Sequence, residues 1–316
     1  MWSPDDLDID IIKALASPSS FQWDPRISFA NVAKRLAIDE ETVRNRLRHM
    51  HEVGFLQGWQ LILNPSMLGR EAAMVELEVS DPESKPKVIP RLRLLEGVTL
   101  IDDFYGSKLA VQTLYETAGT LTRQIQLIAS LCGCSNPVWW RLGFPPCTLT
   151  PTTTDWQIIH ALRQNARGRL SDVSRSLRVS TRTVKRHLEH LIGGNAFYLD
   201  PVLDLGKVGG VRCRLWVVCE ASKKEAVDKQ ILSGLKRIIS THTAPREYSL
   251  FVVHCANTSE VQGISQWVGK LEGVKEVRSN IDVEHIHVQD WLGGEIEKRL
   301  SMPVSQPEPP FSTEKG

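Results

Sequence analysis

The chain has 316 residues, a length that excludes one small core and implies about two to four domains. Hydrophobic residues at 41% and charged residues at 24% exclude the disordered and fibrous classes. The net charge of +1 excludes a surface coated in basic groups, so any nucleic-acid site has to be a local concentration of charge.

The N-terminus, MWSPDDLDID, is acidic where a signal peptide would be basic and then apolar. No apolar run reaches the ~18 residues of a membrane span. A cytoplasmic protein with no membrane partner is expected. Cys132, Cys134, Cys147, Cys213, Cys219 and Cys255 follow no framework spacing and are expected to be free thiols in a reducing compartment.

Leu7, Ile11, Ile12 and Leu15 form the apolar stripe of a first helix. Ser17–Pro25 is loop by composition. Val32 and Leu36, then Val43, Leu47 and Met50, continue at helical spacing, and two short apolar runs about Gly58, between Gly54 and Pro65, predict a β-hairpin wing. Next come strand, helix, strand, strand, helix and strand, over Ala72–Val79, Pro86–Leu95, Val98–Phe104, Leu109–Tyr115, Leu121–Leu131 and Val138–Leu142. A Pro/Thr-rich linker, Pro145–Thr154, follows.

The pattern then repeats. The frame DxxIIxAL at Asp8 recurs at Asp155, an offset of 147, and Val32, Leu36, Val43, Leu47 and Met50 match Val173, Leu177, Val184, Leu188 and Leu191 at an offset of 141. A repeat of that length indicates a duplicated domain pair rather than a solenoid. The second wing, Gly193–Pro201, is shorter and richer in glycine, and is expected to be truncated or mobile. Behind it the strand and helix order recurs over Val211–Cys219, Lys223–Leu235, Arg237–Thr243, Tyr248–Cys255, Glu260–Leu271 and Val274–Val288. On the first of these strands Cys213, Leu215 and Val217 share one face while Arg212, Arg214 and Trp216 share the other. In this arrangement helices cover one sheet face and the other face needs a partner, so Trp216 is expected to pack or to lie at an interface. A frayed tail is expected from Gly293.

The sharpest local signal is Arg163–Leu191, two short helices joined by a tight turn. From Arg163 to Arg186 there are eight arginines and lysines and one acid, Asp172. Ser180 stands where an N-cap belongs, so polar donors project from the first turns of the helix that follows. This is the pattern of a helix that docks on DNA.

These residues, with DxxIIxAL and the GFLxGWxLILNPxxLG segment of the first copy, resemble the Lrp/AsnC (feast/famine) family over about residues 5–290. The resemblance implies an α+β chain of two winged helix-turn-helix domains, each followed by a ferredoxin-like βαββαβ (RAM-type) domain. Its divisions are 1–65, 66–146, 147–206 with the linker, 207–292, and a flexible tail over 293–316. It implies sequence-specific double-stranded DNA binding with the helix after each turn in the major groove. By position the outward set is Thr42, Arg44, Asn45, Arg46 and Arg48 in the first copy and Arg182, Thr183, Lys185, Arg186 and His187 in the second. Asp39, Glu40 and Glu41 oppose phosphate at the start of the first recognition helix, so the second copy is expected to be the stronger anchor. The family assembles through its ferredoxin-like domains, which implies a homo-oligomer or a pseudo-dimer within this chain. It commonly takes small-molecule effectors near a Gly/Asp-containing turn. The corresponding turns here, Tyr105–Lys108 and Ala244–Glu247, do not keep that pattern.

Two other readings stand beside this one. Sirohaem-type tetrapyrrole decarboxylases share the architecture, and His242, His254, His285 and His287 are the material for such a site, with His285 and His287 on one strand face. The other is a sensor or scaffold that has lost DNA binding. No P-loop, dinucleotide motif or nucleophile elbow occurs, so no cofactor and no catalytic residue is expected, and Cys132-Gly-Cys134 is too closely spaced for a standard zinc knuckle.

Overall fold

The computed structural model describes residues 2–15, 27–164, 166, 168–204, 206–243 and 248–301. The loop expected at Ser17–Pro25, the turn Ala244–Glu247, the side chain of His242 and the tail beyond Ser301 lie outside the described residues.

The first half runs α1 (Asp6–Ala14), α2 (Phe29–Leu36), α3 (Glu40–Glu52), β1 (Leu56–Leu63), β2 (Glu71–Glu78), α4 (Lys85–Leu92), β3 (Val98–Phe104), β4 (Lys108–Tyr115), α5 (Ala118–Cys132) and β5 (Val138–Leu142). The second runs α6 (Thr153–Gln164), α7 (Leu170–Leu177), α8 (Thr181–Gly193), β6 (Phe197–Leu203), β7 (Val211–Cys219), α9 (Lys224–Gly234), β8 (Ile238–Thr243), β9 (Tyr248–Cys255), α10 (Thr258–Gly269), β10 (Val274–His287) and α11 (Asp290–Ser301). The class is mixed α+β, as expected. Among the described residues no helix is long and apolar enough to cross a membrane. All six cysteines are free.

Local chemistry sets the helix starts. Asp5 and Asp8 cap α1 reciprocally, each carboxylate accepting from the other's backbone N–H, and Thr152 with Asp155 repeats the device at α6. Ser28, Asp39 and Ser180 cap α2, α3 and α8. The turns α2–α3 and α7–α8 each pivot on one left-handed residue, Ala37 at φ 54° and Arg178 at φ 55°. Those two positions are again 141 apart.

The wings depart from expectation. Neither is a hairpin. Each copy contributes one strand, and β1 pairs antiparallel with β6 of the other copy, Leu61 opposite Leu199 and Leu63 opposite Phe197. Gly58 is no turn but lies inside β1 at a register irregularity, and the second wing is a full strand rather than a truncated one. The ribbon's inner residues belong to one core with Val43, Leu47 and Met50 of α3 and Val184, Leu188 and Leu191 of α8. A strand with one apolar face and no sequence neighbour to pair with satisfies its backbone on the equivalent strand of the other half.

The remaining strands form one sheet in the order β5-β2-β4-β3-β10-β7-β9-β8. Its hinge is the 14-residue β10, whose first part pairs with β7 and whose last part pairs with β3. Cys213, Leu215 and Val217 face a core shared with α9 and α10, and Ala73, Val75 and Leu77 face one shared with α4 and α5. The opposite faces of the two halves turn toward each other, Trp216 meeting Trp140 with ring centroids 4.6 Å apart.

The expected tail from Gly293 is corrected to a helix. Residues Asp290–Ser301 form α11, whose Leu292 and Ile296 join the core beside α6 and whose Arg299 lies over the Trp156 ring at 5.6 Å. Gly293 permits this approach, because a Cβ there would fall 2.4 Å from the Arg163 guanidinium. Gly293, read as a helix breaker, instead leaves room inside the helix for the Arg163 side chain, while Gly294 faces open space.

His254 on β9 is fully buried, and neither ring nitrogen has a hydrogen-bond partner. Gly210, at φ +101°, lets the chain pass over its ring, where a Cβ would come within 2.6 Å. Burial, and then Arg237, push its pKa down to about 4. The folded state therefore binds its proton later than the unfolded chain does, so stability is lost as pH falls from about 6.5 toward 4, by at most about 3 kcal/mol. His254→Leu should make that part of the urea-denaturation profile shallower, the remaining slope belonging to other buried imidazoles, and an unchanged profile would refute the assignment.

Candidate functional site

The outward set of the recognition helices divides by geometry. In α8 the apolar Val184, Leu188 and Leu191 point into the core while Arg182, Lys185 and Arg186 are exposed on the other side. Lys185 lies 3.7 Å from Glu189, and among the described residues no acid pairs with Arg182 or Arg186. Thr183 hydrogen-bonds the capping Ser180 hydroxyl at 2.8 Å. In α3, Asn45 and Arg48 are exposed, but Thr42 is held by Asp39 at 2.6 Å and Arg44 by Glu40 at 2.7 Å over the Phe29 ring. Arginine charge on α3 is thus partly neutralised by acids on the same helix.

Arg46 and His187, equivalent by the repeat, are engaged within their own modules. Arg46 donates to Asp5 at 2.7 Å and to Asp8 at 3.2 Å, and His187 Nδ1 lies 2.8 Å from Asp155. Each ties its recognition helix to the capped start of the first helix. Burial raises the pKa of Asp8, whereas for Asp155 the hydrogen bonds from Thr152 and His187 outweigh burial and lower it.

The second feature is interior. The facing sheet surfaces and the β1–β6 ribbon enclose a cavity of about 540 Å³ lined by Trp140, Trp216, Tyr198, Asp200, His285 and His287 among others. Beside it lies a buried polar chain. Arg212 pairs with Asp282, Arg214 donates to Asp282 at 3.1 Å, and the Arg214 guanidinium also pairs with Asp102 of the first half, which in turn bonds His285 Nδ1. Burial alone would raise the Asp102 pKa, but Arg214 and His285 hold it well below the usual carboxylate range. Burial would likewise lower Arg214 and His285, and their carboxylate partners raise both. His287 goes the other way, pushed down to about 4 by burial and then by His285.

Sequence reasoning singled out Arg212, Arg214, His285 and His287 but missed Asp102, Asp200 and Asp282. The available signal was an acid inside an apolar strand, as in Leu100-Ile101-Asp102 and Ile281-Asp282-Val283, since a carboxylate on a buried strand face needs a cation. Its partner could not be read, because Arg214 lies 112 residues from Asp102.

No protein-family model matches the chain. An uncharacterized HTH-type transcriptional regulator of Pyrococcus furiosus is 32% identical over 131 residues, covering 41% of this chain and 84% of that protein. The HTH-type transcriptional regulator LrpA of Pyrococcus horikoshii is 32% identical over 75 residues, covering 24% of this chain. The chain spans about half of LrpA's length, 53%. Among solved structures, the siroheme decarboxylase NirDL superposes with a TM-score of 0.54 at 15% identity, covering 94% of this chain and 100% of that one, a likeness of fold.

The two kinds of α8 residue should separate on mutation. His187→Ala leaves Asp155, 1% exposed, without its ring partner and should cost about 1–3 kcal/mol in urea denaturation. Arg186→Ala, at an exposed position, should stay within about 0.5 kcal/mol of the parent. Equal losses would contradict the division.

Proposed function

We propose, for a chain that belongs to the Lrp/AsnC family, that it is a sequence-specific double-stranded DNA-binding transcription regulator, built as two tandem winged helix-turn-helix and ferredoxin-like units that act as an intramolecular pseudo-dimer. The observation that carries this reading is the exposed face of α8, where Arg182 and Arg186 stand without acidic partners among the described residues on a capped helix whose other face is buried. A helix of that kind fits the major groove, and its guanidinium groups take phosphates or the acceptor edge of guanine. The shared core and the β1–β6 ribbon support coupled action of the two recognition helices, because they fasten both to one rigid unit.

The two helices contribute unequally in this reading. On α3, Asp39, Glu40 and Glu41 place negative charge at the end that would meet phosphate, so α8 supplies most of the affinity, while Asn45 and Arg48 of α3 contribute base reading. Arg46 and His187 then act as positioning residues, holding each recognition helix at its angle to α1 or α6.

A second reading is supported by the interior cavity and by the fold shared with a tetrapyrrole decarboxylase: the cavity takes a tetrapyrrole and the chain acts on its carboxylates. The position of Arg214 weighs against it. Its guanidinium already holds the buried Asp102 and Asp282 of this chain through all of its nitrogens and is not free to receive a substrate's carboxylate.

Fluorescence-anisotropy titration against duplexes selected from a random pool tests the first reading. Log affinity should fall linearly with log salt, and Arg182→Ala with Arg186→Ala should reduce the slope by about two. Failure to bind any duplex at low salt would overturn it in favour of a sensor or scaffold. For the second reading, iron uroporphyrin added to the protein should show a saturable change in its absorption spectrum, and an unchanged spectrum removes that reading.

A further inference from the structure

The cavity holds a cluster that the DNA reading leaves unused. Asp200 of β6, His285 and His287 of β10 offer three donor atoms within 4.8 Å of one another. The Asp200 Oδ2 atom is 3.5 Å from His285 Nε2 and 3.5 Å from His287 Nε2. Those separations exceed the usual ~2.7–3.2 Å of an N–H···O bond. They suit donors around one ion: with bonds of ~2.1 Å and tetrahedral angles, ligand atoms stand about 3.4 Å apart.

Three further observations point to a ligand. His287 is 8% exposed at its side chain, and its Nε2 is buried with no hydrogen-bond partner. His285 is oriented from behind: Asp102 lies against its Nδ1, so a ring that loses its other proton to an ion presents the lone pair of Nε2 beside Asp200. A carboxylate behind a ligating imidazole fixes its tautomer and ring plane, as in many protein zinc sites. Finally, the two rings are nearly perpendicular, 86° apart, so residues two apart on one strand present their nitrogens to one point from different directions.

We propose that Asp200, His285 and His287 form a binding site for one divalent first-row transition ion of the zinc class, with an open coordination position toward the cavity. Two imidazoles and one carboxylate select such an ion over magnesium or calcium, which prefer all-oxygen sets. Three protein ligands leave a fourth position for water or for an oxygen donor entering the cavity. The ligands come from two elements, the wing strand β6 and the central strand β10, so the ion clamps the ribbon under the recognition helices to the sheet and stabilises the folded chain.

The test uses the full chain, freed of any affinity tag and stripped with a chelator, with Co²⁺ as the optical probe and Zn²⁺ as competitor. One equivalent of Co²⁺ should give ligand-field bands of a four- or five-coordinate ion with no sulfur charge-transfer band. Zn²⁺ should remove them, Mg²⁺ should not, and Zn²⁺ should raise the melting temperature. His287→Ala and Asp200→Asn should each weaken binding at least 100-fold. Asp102→Asn, which keeps all three ligands, should weaken it about 10- to 100-fold with one equivalent still bound. His287→Gln, closer in volume, serves if the alanine variant does not fold, and folding of every variant is checked by circular dichroism. Absence of saturable Co²⁺ binding, a thiolate spectrum assigning the ion to cysteine, or unchanged affinity in a folded Asp200 or His287 variant would each overturn the proposal. None of these outcomes depends on DNA.

Discussion

The structure depends on a surface that neither half can leave bare. Helices α4 and α5, and α9 and α10, each cover one face of a four-stranded unit, and the opposite faces carry Trp140, Asp102, Arg212, Arg214 and Trp216. Those faces are covered by each other and by the β1–β6 ribbon. Arg214 is the main polar contact that results, a guanidinium from the second half closed on Asp102 of the first and Asp282 of its own. Such a network gains little over an apolar core in raw stability, but leaving any one member unpaired is costly, so it favours one register between the halves. With β10 bridging β7 and β3, and β1 paired to β6, that register also sets how the two helix-turn-helix modules sit together.

Duplication has kept the scaffold and changed the chemistry laid on it. The acid at the start of the first helix and its partner on the recognition helix occur in both modules, as Asp8 with Arg46 and Asp155 with His187. A cation at that place serves the packing of the module, and either side chain does so. The outward faces have diverged instead, α3 carrying its own acids and α8 almost none. Divergence of exposed charge costs little stability, which leaves the two surfaces free to take different shares of binding.

The helix-turn-helix was legible because its signals are local: apolar residues at helical spacing, a cap at Ser180, and an offset of 141 that aligned the two copies. The alternation of β7 was legible for the same reason, since period two placed Cys213 and Arg214 on opposite faces before any partner was known. Less legible were the wings, where an apolar strand beside glycine fits a hairpin as well as a strand paired across the repeat. Gly293 misled outright, because a glycine that admits Arg163 is written like one that ends a helix.

What the sequence by itself determined is therefore the helix-turn-helix and the strand and helix order behind it, their duplication, and the basic face of α8, all products of short-range periodicity and capping chemistry. What only the tertiary structure decided is which of the polar residues are free to act. Arg46 and His187 are held within their modules, Arg212 and Arg214 on buried acids, and Asp200, His285 and His287 converge from strands more than 80 residues apart. The physical reason is that a side chain's pairing is set by what folding brings within a few ångströms, and the carboxylate partner of each of these cations and imidazoles is distant along the chain.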